Sequence, residues 1–364
     1  MEQTNTARFF LGANAKTGFS SLYDSFPDGA AGDFLWIIKG GPGSGKSSFM
    51  KRIAAAAAQS GQRVETILCS GDPDSLDAVY LPEQRLAYVD GTAPHVIEPR
   101  CPGASDCYLD FSRFLDAQAL RPCLPELTEL NRRYKARYAA AYAQLSAAAA
   151  LLPRNQPGLY SDAAAQTLAR RMEALAAREL RALKKPGCVQ HRFLSAWSCK
   201  GHITLTETLP LYCDRLYLFD NALGLGFAAL ELLAARAAAR GYDAVVCHDP
   251  LEPEKIEALL LPEARLAFLA SDTPDAAPDL PCRRSRLDAL AARELSSEER
   301  AALRARKKES RALLSAATET LAQAKALHDE LEAVYRPHVD FSGLDALAEE
   351  HIRRLNASGW TPAR

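Results

Sequence analysis

The residues with the clearest chemistry lie in Gly40–Ser48, which reads GGPGSGKSS and follows the apolar run Phe34–Ile38. Within this stretch the pattern GxxxxGK[ST] is complete. Glycines allow successive main-chain N–H groups to point inward at a phosphate, and the helix that follows adds its positive end. A lysine in this pattern reaches the β- and γ-phosphates, and the hydroxyl after it holds Mg²⁺. The stretch therefore predicts a site for ATP and Mg²⁺ made by Gly40, Gly41, Pro42, Gly43, Ser44, Gly45, Lys46, Ser47 and Ser48.

A nucleotide site of this kind also needs a carboxylate for the metal, which normally ends a neighbouring strand. Asp90 closes the mostly apolar run LAYVD and is the candidate. We expect Ser47 and Asp90 to be the Mg²⁺ ligands, with Lys46 and Asp90 also acting in catalysis. An aspartate that closes a strand also serves as a turn former or a helix cap, so the run alone leaves both interpretations open.

Candidates for a group that activates water or an acceptor lie just after the expected strands. A glutamate directly after Asp90 would be the usual group, and Gly91 stands there instead. Asp72 and Asp74, in SGDPDSLD, follow another strand at its carboxyl end, where ligands bind in open α/β sheets. Both are therefore candidate bases. Asp-Pro-Asp-Ser before an apolar run also reads as a turn with a helix cap, which is the structural alternative.

The chain contains an internal duplication. LPEQRLAYVDGTAP at 81–94 matches LPEARLAFLASDTP at 261–274 with seven identities in fourteen positions. In the second copy LFDNALGLGFAA takes the place of the glycine-rich stretch. The residues aligned with Lys46, Ser47 and Asp90 are Phe227, Ala228 and Ala270. The cation, the metal hydroxyl and the metal carboxylate are thus lost together while the frame remains, which predicts one intact site and one degenerate copy.

His95 and Arg100, which follow Asp90 in the sequence, are candidates for contact with the γ-phosphate. His95 senses or stabilises the phosphate in one interpretation and is a surface-loop residue in the other, and the second copy has Asp275 at its position. Arg100 is the nearest cation for the charge of a transition state. The full set of candidate catalytic residues is Lys46, Asp90, His95, Asp72 and Asp74.

Within each copy, short β-type runs alternate with helix-forming runs, which predicts an α/β fold with a parallel sheet. The composition then changes to Ala, Leu, Glu and Arg, which predicts long helices arranged as hairpins. We expect two tandem P-loop NTPase-like parallel-sheet units, each with a long α-helical extension, packed together as an intramolecular pseudo-dimer. The first is residues 1–185, with its extension at about 123–184, and the second is residues 186–364, with its extension at about 284–356.

Composition and charge narrow the class of protein. A chain of 364 residues with 48% hydrophobic residues is long enough for two domains with buried cores. The 44 basic and 45 acidic residues give no overall attraction to nucleic acid or to an anionic membrane, so neither is an expected partner. Nine cysteines without a CxxC pair indicate a reduced compartment. With no secretory leader and no apolar stretch of about 18 residues, the sequence predicts a cytoplasmic protein.

The combination of GGPGSGKSS, SGDPDSLD, YLPEQRLAYVDGTAPH and VIEPRCPGA resembles a bacterial family of tandem P-loop ATPases or nucleotide kinases. The resemblance covers most of the chain, and DGTAPHVIEP is specific to that family. It implies nucleotide binding but supplies no established substrate. In such relatives the second copy often keeps a Gly-Lys-Ser/Thr loop, from which this chain departs at Asn221, Phe227 and Ala228.

Three functions from different classes remain open. The first is an ATPase whose hydrolysis moves the helical extensions or changes a contact with an unknown protein partner. The second is a kinase that passes the γ-phosphate to a small-molecule or nucleotide acceptor activated by Asp72 or Asp74. The third is a nucleotide-loaded scaffold with negligible turnover. A GTPase is disfavoured because the chain has no NKxD motif, and an ABC-type ATPase because it has no LSGGQ-like stretch.

Overall fold

The computed structural model describes residues 5–27, 32–156, 158–272 and 280–357. Asp275, the residue aligned with His95, lies outside these ranges. All nine cysteines lie inside them, and none forms a disulfide. None of the helices that the structure describes is both long and apolar enough to cross a lipid bilayer.

The two repeats contain the same succession of strands and helices. The elements of the first repeat are β1 (Thr6–Phe9), β2 (Gly12–Ala15), β3 (Gly18–Ser21), β4 (Phe34–Lys39), α1 (Lys46–Gln59), β5 (Val64–Leu68), β6 (Leu76–Leu81), β7 (Leu86–Asp90), β8 (Asp106–Asp110), α2 (Ala117–Leu120), α3 (Leu124–Leu151) and α4 (Asp162–Glu179). Those of the second repeat are β9 (Val189–Arg192), β10 (Ser195–Ser198), β11 (Gly201–Thr204), α5 (Leu209–Tyr212), β12 (Arg215–Asp220), α6 (Leu225–Ala239), β13 (Ala244–His248), β14 (Ile256–Leu261), β15 (Leu266–Ser271), β16 (Cys282–Ser285), α7 (Ala289–Ala292), α8 (Ser297–Tyr335) and α9 (Phe341–Asn356).

Each repeat forms one six-stranded sheet, and the order of strands is the same in both. The order is β1-β5-β6-β7-β4-β8 in the first sheet and, read from the corresponding edge, β9-β13-β14-β15-β12-β16 in the second. Within the described parts of the two six-stranded sheets, only β6 and β14 are antiparallel to their neighbours, while β2–β3 and β10–β11 form separate antiparallel hairpins. Residues 69–75 and 249–255 connect to these strands by short turns, whereas a parallel crossover needs a dozen or more residues. The predicted α/β class is confirmed, with sheets that are mixed and mostly parallel.

The two sheets share one core. Side chains alternate along a strand, and in β12 Leu216 and Leu218 join the core shared with the first sheet, whereas Tyr217 between them lies in the core under α6. Just after β1 and β9, Phe10 and Phe193 exchange two main-chain hydrogen bonds, each of 2.9 Å. The repeats therefore pack against each other as an intramolecular pseudo-dimer, with the sheets in the middle and helices outside.

The last helix of each repeat packs on the sheet of the other repeat. α9 lies against α1, where Leu344 and Leu347 join the core of the first sheet and Nδ1 of His351 lies 2.9 Å from the hydroxyl of Tyr88. Reciprocally, α4 lies against α6, and Leu168 joins the core of the second sheet. Each helical extension thus completes the opposite repeat, so residue 185 separates the repeats of the sequence but does not separate the packing units.

The two longest helices, α3 and α8, pack against each other in antiparallel directions. Leu130 near the start of α3 packs with Leu331 near the end of α8. Near the other end of the pair, Oγ of Ser310 donates a 2.9 Å hydrogen bond to the carbonyl of Ala148. The prediction of helical hairpins within each repeat was wrong, because the apolar face of α3 is covered by α8 and that of α4 by α6.

Candidate functional site

The glycine-rich loop, Gly40–Ser48, lies at the edge of the first sheet where its parallel strands end. It joins β4 to α1, and β4 lies between β7 and β8. Gly43 and Gly45 have φ angles of +66° and +81°, which disfavour any side chain, so the turn requires glycine at both positions. α1 begins at Lys46, and no side chain caps its first amides. These N–H groups and the helix dipole make the start of α1 a place where an anion can bind.

Lys46 and Asp90, two residues of the predicted site, lie side by side. Nζ of Lys46 donates hydrogen bonds to the carbonyls of Gly40 and Gly41, at 2.9 and 3.0 Å, and lies 3.5 Å from Oδ2 of Asp90. Both side chains are largely buried, at 12% and 14% exposed. Asp90 reaches this place because β7 pairs in register with β4, which sets it opposite Ile38. The ammonium group therefore rests on two loop carbonyls and a carboxylate, and a bound phosphate would offer it a stronger partner.

Ser47, the other expected metal ligand, lies at the same edge of the sheet. Its Oγ accepts a 2.9 Å hydrogen bond from the main-chain N–H of Leu76, where β6 begins. Oδ1 of Asp90 accepts bonds from the amide and the hydroxyl of Thr92, at 2.9 and 2.6 Å, which leaves Oδ2 for the charged groups of the site. Hydroxyl and carboxylate oxygens suit Mg²⁺, which completes its octahedral shell with water. Ser47 and Asp90 therefore fit the ion chemically.

Gly91 explains why no glutamate follows Asp90. A Cβ atom at residue 91 would lie 2.4 Å from Cγ2 of Ile37, closer than any real contact of this kind. Nζ of Lys39 also donates hydrogen bonds to the carbonyls of Gly91 and Ile97, both at 2.8 Å, and so fixes the segment in place. A water-activating carboxylate is therefore sterically excluded at this position.

His95 lies in the core and not on a surface loop, which removes one of its two interpretations. Its side chain is 6% exposed, with Nδ1 2.8 Å from the main-chain oxygen of Asp90 and Nε2 3.5 Å from Oδ2 of Asp77. Tyr23 packs on the imidazole and donates a 2.9 Å hydrogen bond to the same oxygen of Asp77. Burial alone lowers the pKa of His95, but the charge and hydrogen bond of Asp77 raise it above its ordinary value. Both ring nitrogens thus have protein partners, and the ring supports the strand end at Asp90.

The remaining candidates separate in the structure. Asp74 is 73% exposed and pairs with Lys200 of the second repeat at 2.5 Å, and this hydrogen bond lowers the pKa of Asp74. Asp72 is 21% exposed and lies in the turn before β6, the strand whose first amide bonds the glycine-rich loop. Arg100 lies beside the start of β8, at the opposite edge of the sheet, where its N–H bonds Asp106. Asp72 is therefore the candidate base that the fold brings to the loop, whereas Arg100 was wrongly placed near it.

The second repeat covers the glycine-rich loop with the end of α8. A Cβ built on Gly43 would meet the main-chain oxygen of Glu332 at 3.1 Å. About two turns earlier in the same helix, Nζ of Lys325 lies 3.4 Å from Oδ2 of Asp72. These residues could not be predicted from the sequence, because no local motif marks a helix that arrives from the other repeat. The site is therefore composite, with its loop from one repeat and its cover from the other.

A second group of possible metal ligands lies on α8. His328, Asp329 and Glu332 place one ligand atom each within 4.8 Å of one another. Nζ of Lys325 donates a 2.5 Å hydrogen bond to Asp329, and Nδ1 of His328 lies 3.6 Å from Glu332. The charges of this group are therefore compensated within the helix, and the group alone does not make a metal site.

Comparison of the chain with protein-family models, with curated proteins and with solved structures found no match. Within the chain, the two loops can be compared, and they differ in length. Strand pairing places Phe34 and Arg215 at equivalent positions, whereas the buried faces of α1 and α6 make Ile53 and Leu233 equivalent. Counted from the paired strand to the buried face of the helix, the second repeat is therefore one residue shorter, and the sequence alignment was wrong by one position in the helix. The loop itself has four residues (221–224) against six (40–45), and α6 has one more residue at its start. The structural equivalents of Lys46 and Ser47 are Gly226 and Phe227.

Side chains of both repeats close the second loop (residues 221–224) to an anion. Oδ1 of Asn221 accepts a 3.0 Å hydrogen bond from the main-chain N–H of Phe227 and so caps the start of α6. Arg154, which follows α3 of the first repeat, lies with its guanidinium over the ring of Phe227. This guanidinium pairs with the carboxylates of Asp249, Glu252 and Asp272 at 3.5, 2.7 and 3.4 Å. The amide oxygen of Asn221 thus accepts a hydrogen bond from the helix start, as a phosphate would, and Arg154 supplies a positive charge, as a lysine would.

A cavity of about 250 Å³ lies beside the second loop, between the hairpin β10–β11 and α8. Glu257 lines this cavity and accepts a 2.7 Å hydrogen bond from Oγ of Ser195. Burial raises the pKa of Glu257 to about 8, and the charge of Asp249 acts in the same direction, whereas Ser195 and Arg154 oppose it. The fold therefore holds this carboxyl group mainly protonated at neutral pH.

Replacing Glu257 by glutamine is expected to stabilise the protein above pH 8 and to have little effect near pH 4. The pKa of Glu257 is raised from 4.5 in the unfolded chain to about 8, so its contribution to stability is complete below pH 4.5 and is lost as the pH rises to about 8. The gain at high pH should be on the order of 5 kcal/mol. Urea unfolding at pH 5 and pH 9 measures it, with the exposed Glu254→Gln as control. An equal pH dependence in the wild type and Glu257→Gln would contradict this assignment.

Proposed function

We propose that the protein binds Mg-ATP at a P-loop formed by Gly40–Ser48 and hydrolyses it. The observation that carries the proposal is the contrast between the two repeats. In the first, an uncapped helix start, Lys46 and Asp90 converge on one place. In the second, Asn221 caps the helix, and Gly226 and Ala270 replace the lysine and the aspartate. The groups that a triphosphate and its metal need are thus kept together in one repeat and removed together from the other.

Each residue has a defined task in this proposal. The amides of the loop and of the start of α1 bind the β-phosphate, and Lys46 leaves the loop carbonyls to contact the β- and γ-phosphates. Ser47 and Asp90 would hold Mg²⁺, which would neutralise negative charge on the phosphates. Asp72 is the carboxylate available to orient water, since the position after Asp90 cannot carry a side chain.

A nucleotide-gated scaffold is the second candidate function, and a specific observation favours it. Gly91 excludes the usual water-activating carboxylate, while the end of α8 packs directly on the loop at Gly41 and Gly43. A protein with this arrangement would couple nucleotide occupancy to the position of the α3–α8 pair and turn ATP over slowly.

Phosphate release from Mg-ATP by the full chain, with Lys46→Ala as the blank and no other addition, tests the proposal. We expect release above this blank. ATP binding without release would favour the scaffold or a kinase that lacks its acceptor, and addition of acceptors would then distinguish these two. Equal release by the wild type and Lys46→Ala would contradict hydrolysis at this loop.

A further inference from the structure

One cation of the second repeat, Lys325, pairs with the candidate base of the proposed ATP site. Nζ of Lys325 lies 3.4 Å from Oδ2 of Asp72, and its side chain is 27% exposed. Asp72 belongs to the turn that ends at Leu76, whose main-chain N–H bonds Oγ of Ser47 at 2.9 Å. The ammonium group is therefore linked to the proposed metal ligand through a single short turn.

The same face of α8 contacts the glycine-rich loop. Glu332 and Tyr335 lie about two and three helical turns beyond Lys325, so the three residues share one side of the helix. Glu332 packs on Gly43, and the ring of Tyr335 would lie 3.4 Å from a Cβ on Gly41. Because a helix is rigid over this length, the contacts at its end fix the side of the helix from which the Lys325 side chain extends. The lysine stem is long and flexible enough to move its charge from Asp72 to a nearby phosphate.

The degenerate repeat has a cation from the opposite repeat at the corresponding place. Glu252, which the sequence repeat aligns with Asp72, is bound by Arg154 at 2.7 Å and by Lys16 at 3.1 Å, and both cations come from the first repeat. Arg154 is 8% exposed and is fixed by three carboxylates. In the second repeat, the cation that comes from the opposite repeat, Arg154, is therefore fully paired with protein carboxylates. In the first repeat, the cation that comes from the opposite repeat is Lys325, which has two carboxylate partners, Asp72 and Asp329, and remains partly exposed.

We propose that Lys325 contacts the γ-phosphate of ATP bound at Gly40–Ser48 and stabilises the charge that develops during its transfer to water. This inference rests on the proposed function. In the reaction the water oxygen bonds to the γ-phosphorus and the bond to the β–γ bridging oxygen breaks. ADP leaves with the electron pair, and the proton of the water passes to phosphate. Lys325 supplies positive charge from the second repeat, in the manner of a cation provided by a partner protein. The degenerate repeat is thereby required to complete the active site.

The test compares binding of Mg-ADP alone with binding of Mg-ADP plus aluminium fluoride, which imitates the transferring phosphoryl group. In the wild type we expect aluminium fluoride to tighten binding. In Lys325→Gln, which keeps most of the stem and removes the charge, this tightening should fall at least about tenfold, while the Kd for Mg-ADP changes less than about threefold. Lys325→Arg should recover part of the effect. The control is Lys16→Ala, which removes the lysine that pairs with Glu252 of the degenerate repeat and should leave the tightening unchanged.

Each outcome decides the inference. Equal tightening in the wild type and Lys325→Gln would overturn it. Binding of Mg-ADP by the wild type without any effect of aluminium fluoride would also overturn it, while leaving nucleotide binding at the loop intact. If the wild type bound no Mg-ADP at all, the proposed function would fail and this inference with it. A Lys325→Gln chain that lost Mg-ADP binding and tightening in parallel would show that Lys325 only supports the fold of the site, which also contradicts the proposal.

Discussion

Replacing Lys46 by alanine is expected to weaken binding of Mg-ATP about 100-fold or more, which corresponds to about 3 kcal/mol. A hydrogen bond to a charged group contributes about 1.5–3 kcal/mol, and a lysine in this position serves two phosphates. The fold should survive the change, because the lysine bonds only to its own loop and to Asp90. Equilibrium binding of Mg-ATP to the purified chain measures the effect, with circular dichroism as the check on folding.

Lys51→Ala provides the matched control for this prediction. Lys51 lies on the same helix, carries the same charge, and bonds the main-chain oxygen of Asp74 at an exposed position. Its removal changes the net charge of α1 as much as removal of Lys46 does. We expect near-normal binding of Mg-ATP. Equal losses in the two variants would mean that the charge of the helix, rather than the contact made by Lys46, governs binding.

Replacing Arg154 by leucine is expected to lower the free energy of unfolding by about 3–5 kcal/mol at pH 7, because it leaves buried carboxylates without a counter-ion. Burial alone lowers the pKa of Arg154, but Asp249, Asp272 and Glu252 raise it well above its ordinary value, so the guanidinium is charged. The same cation lowers the pKa of Glu252. Without Arg154, protonation of these carboxylates would remove the cost of burying their charge, and protonation is more favourable at lower pH. The decrease in the free energy of unfolding should therefore be smaller at pH 5 than at pH 7.

Urea unfolding at both pH values checks this prediction. Arg236→Leu is the control, since Arg236 is 52% exposed and its pair with Glu173 lies at the surface. An exposed pair contributes little to stability, so this variant should unfold nearly as the wild type does. A loss in Arg154→Leu that matched the control would contradict the view that Arg154 is the counter-ion of the buried carboxylates in the degenerate repeat.

Local chemistry made the helices predictable. The helical extensions expected at about 123–184 and about 284–356 contain the long helices Leu124–Leu151, Asp162–Glu179 and Ser297–Tyr335. Gly61 and Gly241, just after the ends of α1 and α6, both have φ of +80°, a conformation that glycine adopts without strain. Composition, periodicity and capping act within a few residues of each other, so one sequence suffices to read them.

The packing of those helices was not predictable in the same way. The apolar face of α9 shows that Leu344 and Leu347 must be buried, but it does not show which sheet they cover. Their partners in α1 lie about 290 residues away in the sequence, and the exchange of α4 and α9 between repeats depends on how the two sheets meet. Such contacts are set by the whole fold, and hydrophobic periodicity carries no information about them.

In the candidate site, too, the local features could be predicted from the sequence and the long-range contacts could not. The order of residues in the loop and the place of Asp90 at a strand end follow from spacing, and the structure sets Lys46 and Asp90 side by side. The burial of His95 depends on Tyr23 and Asp77, which are distant in sequence. Lys325 comes from the other repeat and belongs to no motif. The one-residue difference between the repeats in this region could not be seen in the sequence, because only two matching glycines define the alignment there.

Titration calorimetry of the full chain with Mg-ATP tests the central claim most directly, because it reports affinity and stoichiometry together. We predict one ATP bound per chain, loss of binding in Lys46→Ala, and unchanged binding in Phe227→Leu, since the second loop is closed by Asn221 and Arg154. Two bound nucleotides per chain, or binding that persists in Lys46→Ala, would contradict the assignment of a single nucleotide site to Gly40–Ser48.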